Sequence, residues 1–83
     1  MKIEIKMPAL KPDMKTAALC AWNVGEGDTI KAGEVMFEVE TDKVVSQVEA
    51  AADMKITKLL ADEGDEVTSG EVIAYAETNE YSL

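Results

Sequence analysis

Apolar and polar residues alternate along several short stretches of the chain. Val35, Phe37 and Val39 alternate with Met36, Glu38 and Glu40; Val72, Ala74 and Ala76 alternate with Ile73, Tyr75 and Glu77; Ile3, Ile5 and Met7 alternate with Lys2, Glu4 and Lys6. A period of two in β-branched and aromatic residues predicts half-buried strands. Glu26-Gly27-Asp28, Ala32-Gly33-Glu34, Glu63-Gly64-Asp65 and Ser69-Gly70-Glu71 predict tight turns in which glycine supplies a positive φ. Lys15 to Cys20 and Ala50 to Lys55 have helical propensity, but their flanks are strand-like, and both are read as the start of a strand.

The pattern repeats. Val24 to Val35 returns as Ala61 to Val72, so that Glu26-Gly27-Asp28 falls on Glu63-Gly64-Asp65 at an offset of 37 (63 − 26), and Glu40-Thr41 falls on Glu77-Thr78. One copy is too short to bury a hydrophobic face, so the copies must share a core. The expected architecture is two small antiparallel sheets packed face to face and related by a pseudo-twofold. Trp22, Val35, Phe37, Val39, Leu59 and Val72 are the expected core. The first copy carries the longer loop, Pro8 to Thr16, and loop length that the fold does not require is a candidate functional element.

One turn breaks the local rules. Between the strands expected at 35–41 and 44–50 there is room only for a two-residue loop, Asp42-Lys43. Such loops favour Asn-Gly or Asp-Gly, because the primed turns that match strand twist need positive φ. A type I turn would accept Lys43 but splay the strands. In the repeat, Asp42-Lys43 falls on Asn79-Glu80 beside the C-terminus, which places the lysine at the apex remote from that end. A long, flexible amine at such an apex suits a group that other proteins must reach.

Composition narrows the chemistry. The chain has 83 residues and a net charge of −9, so it is one small domain, and it is 47% hydrophobic, too apolar for a solvated acidic tail. Such a domain buries only about 60% of the surface of its unfolded chain. There is no His, so acid–base pairs and metal sites built on imidazole are excluded. There is no Arg, and the acidic balance argues against nucleic acid and anionic membranes. Cys20 stands alone, so there is no internal disulfide and no base beside it to make a nucleophile. Asp62 to Glu66 is acid-dense but lacks the ligand order of a calcium loop, and no metal site is expected. No apolar run is long enough for a membrane-spanning helix and no leader is evident, so a cytoplasmic protein is expected, with the mitochondrial matrix as the alternative.

Glu40-Thr41-Asp42-Lys43-Val44, with Met7-Pro8-Ala9-Leu10 upstream and the two Glu-Gly-Asp turns, resembles the lipoyl domain of 2-oxo acid dehydrogenase complexes. The resemblance covers residues 2–78. It implies an all-β fold, a flattened eight-stranded barrel or sandwich of two four-stranded antiparallel sheets, with the domain over 1–79 and the start of a linker at 80–83. It implies lipoate in amide linkage on Lys43, flanked by Thr41, Asp42 and Val44. As a swinging arm, that lipoate would be loaded by a lipoate ligase or octanoyltransferase. It would be acylated at a thiamine-diphosphate-dependent decarboxylase, would deliver to the acyltransferase core, and would be reoxidised by dihydrolipoamide dehydrogenase. The domain itself would be a monomeric carrier without catalytic residues. Its parent would be a dihydrolipoyl acyltransferase, with Met-Pro-Ala-Leu leaning toward the pyruvate type, or alternatively a dihydrolipoamide dehydrogenase. Glu40, Asp42 and Glu49, with Leu10 in the long loop, are the expected partner-recognition residues. The chain departs from the family pattern at Ala17 and Met54, where glycine is usual, which predicts altered loops at those two strand starts.

Two readings compete. A biotinyl carrier would need Met-Lys-Met in the hairpin. Met54-Lys55-Ile56 approaches that wording but lies nine residues before Gly64 (64 − 55), whereas Lys43 lies 21 before it (64 − 43). The other is an interaction or spacer module whose lysine is never modified. If the acidic residues guide the loading enzyme or the decarboxylase, replacing Glu40, Asp42 and Glu49 together by Ala is expected to slow lipoylation, in a time course of intact mass, or reductive acylation by the decarboxylase. Unchanged rates of both would make them solubilising charges.

Overall fold

The computed structural model describes residues 1–9, 15–42 and 44–78, and among them the only regular secondary structure is β. The strands are β1 (Lys2–Lys6), β2 (Thr16–Trp22), β3 (Thr29–Ile30), β4 (Val35–Thr41), β5 (Val44–Glu49), β6 (Met54–Leu59), β7 (Glu66–Thr68) and β8 (Val72–Glu77). They form two four-stranded antiparallel sheets with the orders β1-β8-β6-β3 and β5-β4-β2-β7. The repeat accounts for this topology. Moving 37 residues along the chain turns β2, β3 and β4 into β6, β7 and β8, and exchanging the halves converts one sheet order into the other. The expected domain end at 79 and linker at 80–83 lie outside the described residues.

Each half completes the other through reciprocal backbone hydrogen bonds. Gly27 N donates to Ile56 O at 2.7 Å and Gly64 N to Leu19 O at 2.7 Å; Ile56 N donates to Asp28 O and Leu19 N to Asp65 O. The glutamates of the Glu-Gly-Asp turns reach across in the same way: Leu59 N donates to Glu26 Oε2 at 3.0 Å, and Trp22 N donates to Glu63 Oε2 at 2.8 Å. The aspartates close their own turns, accepting from Gly25 N and Asp62 N. Glycine is needed in these turns because Gly27 and Gly64 have φ of 91° and 94°.

One apolar core joins both sheets, and Leu19, Phe37, Val39, Ile56, Ile73 and Ala76 within it are fully shielded. Phe37 and Val39 are core as expected. Val35 and Val72 are only half-buried, and Met36 and Ile73 take their places. The reason is a pair of equivalent bulges. Val35 pairs with Glu49 and Phe37 with Val48, leaving Met36 as the extra residue; Ile5 pairs with Ala74 and Lys6 with Val72, leaving Ile73. A bulge resets the alternation, so two consecutive residues face inward. A second pair of bulges sits at Cys20 and Thr57. Trp22 and Leu59, expected in the core, are half-buried at its margin. Trp22 leans on Phe37 with ring centroids 5.3 Å apart and donates its indole N–H to Ala61 O at 2.8 Å. The altered loops expected at Ala17 and Met54 do not occur: both sit in ordinary ladder positions opposite Val67 and Ile30, with their side chains buried.

The bulge makes a direct energetic claim. Ile73→Ala is expected to cost about 2–5 kcal/mol in urea unfolding, as a buried large-to-small change, and Val72→Ala clearly less. Equal losses would mean that alternation runs unbroken through β8.

Candidate functional site

β4 and β5 are joined by the hairpin that the sequence singles out. Their register closes through Val39 opposite Ser46, Glu40 opposite Val45 and Thr41 opposite Val44. The sequence leaves only Asp42 and Lys43 between those last paired residues. Asp42 has φ 48°, the one positive φ outside glycine among the described residues. The left-handed region costs an ordinary L-residue about 1–2 kcal/mol, and Asp is one of the few side chains that enter it. A type I turn is thereby excluded, because its first central residue needs a φ of about −60°. Lys43 and Leu10 lie outside the described residues.

The flanking residues divide into two groups. Thr41 is half-buried and Asp42 exposed. Val44 and Val45 are 59% and 52% exposed, large apolar side chains turned to solvent directly beside the loop. Glu40 is exposed opposite Val45 and so stands close to the hairpin. Glu49 does not join it: it pairs with Val35 at the far end of β5, about 17 Å along the strand from Val44 at about 3.3 Å per residue. Glu38, which the sequence reading passed over, lies between them and accepts from Gln47 Nε2 at 3.4 Å. Only the register of the hairpin could have revealed it.

Cys20 lies on the neighbouring strand β2, half-buried. Burial, and then the carboxylates of Glu40 and Glu38, push its thiol above the usual cysteine range. A thiol held protonated is a poor nucleophile. Lys55 of Met54-Lys55-Ile56 belongs to strand β6, with Thr29 on one side and Glu77 on the other, so that lysine is fixed in a ladder and not offered on a turn. Among the described residues no group of three His, Cys, Asp or Glu side chains converges as a metal site would require.

The site is thus a two-residue hairpin on a two-sheet β domain with an internal twofold. Known proteins share this architecture. The structure superimposes on the solution structure of the lipoyl domain of the 2-oxoglutarate dehydrogenase complex from Azotobacter vinelandii with a TM-score of 0.77 and 34% identity, covering 92% of this chain and 96% of that one. The dihydrolipoyllysine-residue acetyltransferase component of the pyruvate dehydrogenase complex of Zymomonas mobilis is 47% identical over 75 residues, 89% of this chain and 17% of that protein. The β subunit of the pyruvate dehydrogenase E1 component of Rhizobium meliloti is 46% identical over 66 residues, 80% of this chain and 14% of that protein. The family model Biotin_lipoyl, described as biotin-requiring enzyme, matches residues 3–75. The chain belongs to this biotin/lipoyl family, and within it is a lipoyl domain. It spans about a sixth of the length of the curated relatives it matches.

The backbone at Asp42 can be tested through stability. Asp42→Val is expected to cost about 1–2 kcal/mol in urea unfolding, since a β-branched residue tolerates positive φ badly, while Asp42→Gly costs clearly less. Equal losses would show that the loop does not hold this conformation.

Proposed function

We propose that Lys43 carries lipoate in amide linkage and that the domain serves as a swinging-arm carrier between the active sites of a 2-oxo acid dehydrogenase complex. The observation that carries the reading is the closure of the hairpin. Thr41 faces Val44 across the last rung of the β4–β5 ladder, so the sequence leaves only Asp42 and Lys43 to connect the two strands. Among the eight lysines, Lys2, Lys6, Lys55 and Lys58 belong to strands, and Lys55 in particular is locked into a ladder. That arrangement favours lipoate on Lys43 over biotin on Lys55.

When bound, lipoate supplies a disulfide that accepts an acyl group and a pair of electrons. The chain supplies attachment and reach. The Lys43 amine becomes an amide, which takes the formal net charge from −9 to −10. The sheet fixes where the arm begins, so that each partner site is met at an effective concentration set by the tether and not by free diffusion. The partners in this reading are a lipoate ligase or octanoyltransferase, a thiamine-diphosphate-dependent decarboxylase, an acyltransferase core and dihydrolipoamide dehydrogenase. The pyruvate-type acyltransferase is the parent chain favoured by the relative from Zymomonas mobilis. The Rhizobium meliloti subunit carries a similar domain on a different component, so the role proposed belongs to the domain whichever chain bears it.

The test is intact mass of the domain after incubation with lipoate, ATP and a lipoate ligase, with a biotin ligase run in parallel. One lipoyl increment on the wild type and none on Lys43→Gln is the expected result. An increment from biotin ligase, or none from either enzyme, would reject the reading.

A further inference from the structure

Each sheet ends in two edge strands, and the four edges are protected unequally. β3 and β7 contain two and three residues, too short to recruit another strand. β1 has five residues but displays Lys2, Glu4 and Lys6 to solvent, and charges on an edge oppose strand addition. β5 is its counterpart under the pseudo-twofold, because each lies outermost beside the equivalent strands β8 and β4. It has six residues, and Val44-Val45-Ser46-Gln47-Val48 carries no charge. Among the described residues only β4 pairs with it. A long, β-prone, uncharged edge is the kind that natural sheets normally avoid, and here it starts at the residue following Lys43.

The charges beside this edge specify what fits it. Glu40 and Glu38 face Val45 and Gln47 from β4, and Glu49 ends the strand; apart from Lys43 itself, the stretch from Val35 to Glu49 contains no basic residue. A second copy of the chain would bring the same carboxylates together under a net charge of −9, which opposes self-pairing. A basic segment would be attracted. Position narrows the occupant further. Before lipoate is attached there is no arm to extend the reach of the domain, only the four-carbon stem of a lysine. The enzyme that attaches the cofactor must therefore dock against the surface adjoining Lys43, whereas later partners can be reached by the arm.

We propose that the exposed edge of β5 is the docking surface for the lipoate-attaching enzyme, which adds an extended segment bearing Lys or Arg to this sheet. Main-chain hydrogen bonds would supply affinity, and Glu38, Glu40 and Glu49 would select the basic side chains. The proposal rests on the carrier reading above and goes beyond it by naming the contact surface and its chemistry.

The experiment uses the intact domain, a lipoate ligase, lipoate and ATP. Val45→Lys with Gln47→Lys places two charges on exposed positions of β5, and Glu4→Lys makes the same change in net charge on β1. The β5 double variant is expected to raise KM for the domain on the order of tenfold, the loss of one good contact, with kcat held. Glu4→Lys is expected to leave both parameters near wild type, and urea unfolding confirms that each variant folds. Backbone amides of residues 44–48 are expected to gain protection from hydrogen exchange when the wild-type domain is saturated with ligase. An unchanged KM in the β5 variant, an equal rise in Glu4→Lys, or unprotected 44–48 amides would overturn edge docking while lipoylation of the wild type still supports the carrier. No increment on the wild type would overturn both.

Discussion

Neither half of this chain can bury its own apolar face, and the exchange of hydrogen bonds between the halves is what makes one domain of them. The turn of each repeat is clasped by the other repeat: Gly27 by Ile56, Gly64 by Leu19, Leu59 by Glu26, Trp22 by Glu63. These contacts set the two sheets face to face and bring Leu19, Phe37, Ile56 and Ile73 into a common core. A domain of this size has a thin margin of buried surface, so polar backbone at its margin must be satisfied as completely as the core is filled.

This constraint explains much of the acidity. Glu26, Asp28, Glu34, Asp53, Glu63, Asp65 and Glu71 all accept backbone N–H groups. In the repeats, Asp and Glu therefore recur because each turn needs a carboxylate acceptor at a fixed spacing. The carboxylates on the hairpin sheet do different work. Glu40 and Glu49 are exposed, and Glu38 meets only the Gln47 amide among the hydrogen bonds of the described residues. They give one face of one sheet a negative field that the turn carboxylates do not account for.

The pseudo-twofold also shows where the halves diverge. β1 carries charges along its length and β5 none before Glu49 at its end, though they hold equivalent places. The β4–β5 loop places a non-glycine residue, Asp42, in the left-handed region, whereas the other positive φ angles among the described residues belong to glycines. Strain of this kind survives when the surrounding ladder over-determines it, and here Thr41 and Val44 close the ladder on both sides. The lysine proposed for attachment follows Asp42 in the sequence, inside this two-residue connection.

The strands, the repeat, the shared core and the special hairpin were legible because they rest on local signals: period-two alternation, Gly in fixed turns, and a two-residue gap between strands. The class of protein was legible through Glu40 to Val44 and the paired Glu-Gly-Asp turns. What alternation could not show was the inward placement of Met36 and Ile73. A bulge is created by the register of the partner strand, and no local spacing records it. For the same reason Ala17 and Met54 read as missing glycines, yet they simply fill the core opposite Val67 and Ile30. The separation of Glu49 from Glu40, and the place of β5 at the edge of its sheet among the described residues, likewise depend on which strands become neighbours. Sequence determined which segments would be strands and where they would turn; tertiary structure decided which side chains share a face, because pairing register and sheet order are properties of two strands at once.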